Sequence, residues 1–131
     1  MAIGHAIPIL ANETLPSPAA APFTSGLVYT SSAYTVDTFA LWVLLVRVAG
    51  TVTGTTPTLV FAVQQSNDQI TWATVGAALA NITAVGVQVT PYATGTTQGA
   101  ITQNFIRVIA TVGGTSPVFP GVYADLVGQI V

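Results

Sequence analysis

The chain has no cysteine, no lysine and a single histidine, and its 131 residues carry two arginines and four carboxylates. Each shortage removes a class of chemistry. Without cysteine there are no disulfides and no thiolate nucleophile or metal ligand. With Arg47 and Arg107 as the sole cations there is no basic stripe to neutralise phosphates, so no nucleic-acid partner is expected. For the same reason there is no polybasic signal for an anionic membrane. His5 lies in a proline-rich segment with no second histidine, which supports neither a Ser-His-Asp triad nor a zinc site. Glu13, Asp37, Asp68 and Asp125 are scattered, with no adjacent pair for acid–base work. Asp68, beside Ser66 and Asn67, offers one carboxylate where a calcium loop needs several, and reads as turn chemistry. The Gly113-Gly114-Thr115 stretch leads to Pro117 and another strand, with neither the helix nor the lysine of a phosphate loop. The longest apolar run, Phe39–Val46, is far short of the roughly 20 residues of a membrane helix, and the basic region of a signal peptide is missing from the start. The expectation is a non-enzyme with no catalytic, cofactor-binding or metal-ligating residues.

What is present is apolar and β-prone. Hydrophobic residues make up 51% of the chain and charged residues 5%, against about a quarter in average domains. Threonine, serine, glutamine and asparagine must therefore supply the polar surface. The abundance of Thr and Val favours pleated backbone and an all-β fold. So few charges leave little repulsion between copies, which suits a chain that works within an assembly.

Two regions are expected. Residues 1–26, with Pro8, Pro16, Pro18 and Pro22 around Ala19–Ala21, read as an extended proline-rich N-terminal arm. Its apolar residues Ile3, Ile7, Ile9, Leu10, Leu15 and Phe23 suit contact with a neighbouring subunit. Residues 27–131 read as a single β-domain, an antiparallel β-sandwich or β-barrel of jelly-roll or tulip-like form. Leu27–Tyr34 suggests a short strand or turn, and Phe39–Val52 a strand apolar on both faces, as in a sandwich, a barrel wall or a subunit interface. Gly54-Thr55-Thr56-Pro57 reads as a turn, Thr58–Gln64 as a strand, Ser66–Gln69 as a second turn and Ile70–Val75 as a third strand, a β-meander. Val85, Val87 and Val89 alternate in a further strand ended by Pro91, and Tyr92–Ala100 is a Gly/Thr loop. Ile101–Val112 and Val118–Val127 are strands joined by a turn at Gly113–Pro117, with Pro120-Gly121 marking an edge or bulge.

The sequence also repeats itself. Arg47–Pro57 aligns without a gap on Arg107–Pro117, with Arg, Val, Thr, Val, Gly, Thr and Pro in equivalent places. This suggests two matched hairpins. Each arginine is expected to pair with Asp37, Asp68 or Asp125 or to cap carbonyls, with its stem on apolar neighbours, a salt bridge to a partner subunit being the alternative. Among the aromatics, Trp42 and Trp72 read as core, while Tyr92 is the exposed candidate for stacking on a sugar.

The pair TLVFAVQQSNDQITWATV and FIRVIATVGGTSPVFPGVYADLVG resembles small structural proteins of tailed bacteriophages. Those chains combine an S-N-D-G-x-T-W segment with a C-terminal R-V-x-x-T-x-G-G-T-S-P-x-F strand pair. Here Gln69 stands where glycine is usual. The resemblance covers roughly residues 40–128. It implies a virion location at the capsid surface, with the role of a capsid decoration (cement) protein bound to the major capsid protein, commonly as a homotrimer. Tail and head–tail components share this composition. The strand–SND–strand–Trp pattern also resembles carbohydrate-binding β-sandwiches, which makes glycan binding through Tyr92 or the Ser66–Trp72 hairpin the alternative.

Overall fold

The computed structural model describes residues 3–15, 23–24, 28–36 and 41–130. The described elements are all strands: β1 (Ile3–Leu15), β2 (Phe23–Thr24), β3 (Val28–Thr30), β4 (Tyr34–Thr35), β5 (Leu41–Val48), β6 (Thr53–Ser66), β7 (Ala73–Thr74), β8 (Gly86–Tyr92) and β9 (Phe105–Ile130). They form one antiparallel sheet curled into a half-barrel, which bears out the expected all-β sandwich or barrel class. No helix of the described residues is long and apolar enough to cross a membrane.

The 26-residue β9 belongs to both halves of this sheet. Its first half pairs with β3 and β4 on one side and with β6 on the other, and β6 in turn carries β7. Its second half lies between β1 and β5, and β5 carries β8 at the outer edge. The burial phase of β9 changes along its length. Ile106, Val108, Ala110 and Val112 face inward, then Phe119, then Val122, Ala124 and Leu126, so the phase slips across Pro120-Gly121 as expected of a bulge.

Inward residues of both halves make one core. Trp42, Leu44, Val46 and Val48 of β5 meet Leu59, Phe61 and Val63 of β6 and the inward row of β9. Removing a ring such as Phe61 from so closed a site costs about 3–5 kcal/mol. Two side chains tie the halves at their margins. The Tyr29 hydroxyl on β3 donates to the Ile9 carbonyl on β1 at 3.0 Å, and Gln88 Nε2 on β8 donates to the Ala80 carbonyl at 3.1 Å.

Several local expectations are corrected. The N-terminal segment Ile3–Leu15 runs antiparallel to β9 of its own chain, with one side of its backbone paired within the subunit. Pro8 is tolerated there because β1 is an edge strand with register shifts on either side of Leu10. Residues 16–22 and Asp37 lie outside the described residues. Gly54–Pro57 and Gly113–Pro117 do not turn the chain; they are stretches inside β6 and β9. The meander is likewise not formed, because β5 pairs with β8 and β9, and β6 with β7 and β9. Of Ile70–Val75 only Ala73–Thr74 is strand, and Ile70 stands 82% exposed.

Candidate functional site

Among the described residues no group of three or more His, Cys, Asp or Glu side chains converges to hold a metal. His5 is opposite Gly128 in the β1–β9 ladder, Glu13 opposite Val122, and Asp125 opposite Leu45 and Pro8, all on separate rows.

Asp68 is committed to its own turn. Its Oδ1 accepts from the Ser66 hydroxyl at 2.9 Å and from the backbone N–H groups of Ile70 and Thr71 at 2.8 and 2.9 Å. These bonds favour the ionised form and hold its pKa below the usual carboxylate range. The buried Ser66 hydroxyl accepts from the amides of Asp68 and Gln69. Gln69 adopts φ 59, a left-handed conformation that glycine takes without a Cβ penalty. Asn67 Oδ1 and Gln65 Oε1 accept amides of residues 102–104, which fastens this turn to the segment leading into β9.

The arginines face rings, where carboxylate partners were expected. Arg107 lies 4.3 Å from the Trp72 ring centroid and donates from Nε to Gln64 Oε1 at 2.9 Å. Arg47 lies 5.2 Å from the Tyr123 centroid, its in-register neighbour across β5 and β9. Trp72 is thus half-buried beneath Arg107 and not a core residue, whereas Trp42 is fully buried as expected.

Tyr92 is the clearest reversal. The residue expected at an exposed tip is fully buried opposite Trp42, and its hydroxyl has no hydrogen-bond partner among the described residues. Burial pushes its pKa up to about 12. It offers no face to a sugar. The following Thr-rich loop is closed on itself: Thr96 Oγ1 donates to the Ala93 carbonyl and accepts the amides of Ala93 and Gly99. An open cleft of about 290 Å³ lies along residues 81–88, formed by one continuous segment.

The feature with most surface to offer is the outer face of β5 and β8. Placing Tyr92 in the core fixes the phase of β8: Gln88, Thr90 and Tyr92 point inward. Val85, Val87 and Val89 then stand 57%, 70% and 58% exposed. Amphipathic alternation read from sequence would send the valines inward, and here it is inverted. Leu45 is exposed beside Val89, with Val43 half-buried beside the exposed Pro91. The patch therefore continues across two strands, with Arg47 over Tyr123 at one end. The alternation of these valines was legible in the sequence, but nothing local revealed which face they would take.

No family model matches the chain, and neither does any curated protein. In fold it is similar to a chain in the solved structure of infectious bursal disease virus Gx strain, with a TM-score of 0.53 and 14% identity. The match covers 98% of this chain and 32% of that one, so this chain spans about a third of the length of its structural neighbour. At that identity the likeness is one of fold alone.

Proposed function

We propose that the chain is a non-enzymatic virion structural protein, a capsid decoration (cement) protein that binds and stabilises the major capsid shell as a homo-oligomer. The observation that carries this reading is the outer face of β5 and β8, where exposed valines and Leu45 form a continuous apolar patch with Arg47 at one end. A contiguous apolar patch on a sheet is characteristic of a surface that another protein covers. The fold likeness to a chain of a virus structure supports a virion role in general. The phage-like motifs at Ser66–Trp72 and Arg107–Phe119 support the finer assignment, including the trimer and the capsid surface.

The mechanism is burial of uncharged β-surface across subunit joints, with about 1,000 Å² or more covered at each stable contact. Such contacts draw little on long-range charge, so binding is insensitive to salt. The test is co-sedimentation of the purified chain with empty phage heads and, separately, with tails. Salt-resistant binding to heads, with raised thermal stability of the shell, is the expected outcome. Binding to tails alone would relocate the protein, and loss from heads in moderate salt would overturn the mechanism. The glycan alternative has lost its best residue to the core, and a glycan array with no hits is expected.

A further inference from the structure

We infer that β8 is a docking edge for β8 of a second copy of this chain, joined antiparallel about a two-fold axis so that one sheet runs β1-β9-β5-β8-β8-β5-β9-β1 through both copies. This inference stands apart from the virion role. The described edges of the sheet are treated unequally. β1 carries Pro8, Glu13 and repeated register shifts, and β2, β4 and β7 are two residues long. Short edges, proline, charge and bulges are the devices that keep strands from pairing between molecules. By contrast β8 has seven residues, pairs with β5 without a register shift, and carries no charged side chain. Its one protective residue, Pro91, lies near its end.

The side chains argue for the same occupant. Val87 and Val89 of β8, with Val85 just before it, are turned outward against their amphipathic phase, which leaves β-branched residues waiting for cross-strand neighbours. The best match for such a row is another uncharged β-branched row, and this chain supplies one in β8 itself. Charge agrees. The outer face beyond β8 holds Arg47 and Asp125, of opposite sign, so an identical face brings no net repulsion. A strongly acidic or basic partner would find no complementary charge on β8. In a shell of trimers, the same edge would join neighbouring trimers across two-fold positions.

The test uses the full chain alone, so its failure is separable from failure of the shell-binding role. Sedimentation velocity over a concentration series is expected to show reversible self-association. Val87→Lys should raise the half-dissociation concentration roughly tenfold or more, because edge pairing brings like charges of the two copies together on neighbouring strands. Ile70→Lys, at the far exposed turn, should leave association unchanged; circular dichroism and melting confirm that both variants fold. As the chain has no cysteine, Val89→Cys carrying a nitroxide label gives a second measurement. Labels on paired edges, about 4.8 Å per strand apart, should show strong dipolar broadening that dilution removes. A chain monomeric at every concentration overturns the inference, as does an oligomer indifferent to Val87→Lys. A monomer whose binding to shells is lost with Val87→Lys overturns it too, by making the shell protein the occupant of β8.

Discussion

Thr55 and Thr115 are paired in register between β6 and β9, and they are the same residue of two copies of one motif. The pairs on either side obey the same exchange: Thr58 meets Gly113, and Thr53 meets Val118. The backbone repeats as well, with φ 114 and 47 at Gly54 and Thr56 and φ 104 and 48 at Gly114 and Ser116. The repeat in the sequence is thus a local two-fold, with the copies crossing each other where the two halves of the sheet join.

That crossing predicts a reciprocal pair of sensitive glycines. A Cβ on Gly54 would lie 2.7 Å from the Ser116 carbonyl oxygen, and one on Gly114 would lie 2.6 Å from that of Thr56. Both positions also have positive φ. Gly54→Ala and Gly114→Ala should each lower the unfolding free energy by about 2 kcal/mol in urea denaturation. The double variant should depart from additivity, since each glycine abuts the other's motif. A loss below about 0.5 kcal/mol at either site would show that the crossing is slack.

Asp68 sets an acid limit on the 66–71 turn. Its folded pKa is depressed, so its contribution to stability is present above the unfolded value near 3.8 and is lost as pH falls through the folded value. The melting temperature should therefore decline below about pH 4, and more gently in Asp68→Asn. Parallel curves for the two proteins would remove Asp68 from the account.

Arg107 and Trp72 should be energetically coupled. A double-mutant cycle with Arg107→Gln and Trp72→Leu is expected to give about 0.5–2 kcal/mol, changed little by salt. Desolvation lowers the pKa of Arg107, consistent with a guanidinium held partly away from water. A coupling indistinguishable from zero would mean that ring and guanidinium are merely adjacent.

Tyr92 should be replaceable by phenylalanine at no cost. Its hydroxyl is buried without a partner among the described residues, so Tyr92→Phe should be neutral or stabilising by up to about 1 kcal/mol. Its folded pKa is raised to about 12 from 10.0. The stability it contributes is full below pH 10 and falls as pH rises towards 12, a decline that Tyr92→Phe should blunt. Marked destabilisation by Tyr92→Phe at neutral pH would reveal a partner for the hydroxyl.

These results locate what the sequence could reveal. The fold class follows from β-prone composition and alternation, which are local, but β5 reads as apolar on both faces and only the folded sheet turns Trp42, Leu44, Val46 and Val48 inward. The Gly-Thr-x-Pro stretches read as turns because Gly and Pro punctuate locally, yet here they are bulges in a ladder whose partner lies sixty residues away. Pro8 in the first segment spoke against a strand, and only the edge position of β1 admits it. At the candidate surface the three valines were visible, but their direction was set by Tyr92 entering the core beside Trp42, a tertiary fact.

The position of β9 in the chain also bears on how the fold is reached. Apart from β2–β3, β5–β8 and β6–β7, every ladder pairing uses β9, and β9 follows all the other strands in sequence. During synthesis at about 5–20 residues per second, β1, β3, β5 and β6 therefore emerge from the ribosome with their shared partner still unmade. Closing the sheet from both of its halves must await the last strand. Until then β5 and β6 are exposed apolar edges, and the nascent chain is at its most vulnerable to pairing with its neighbours.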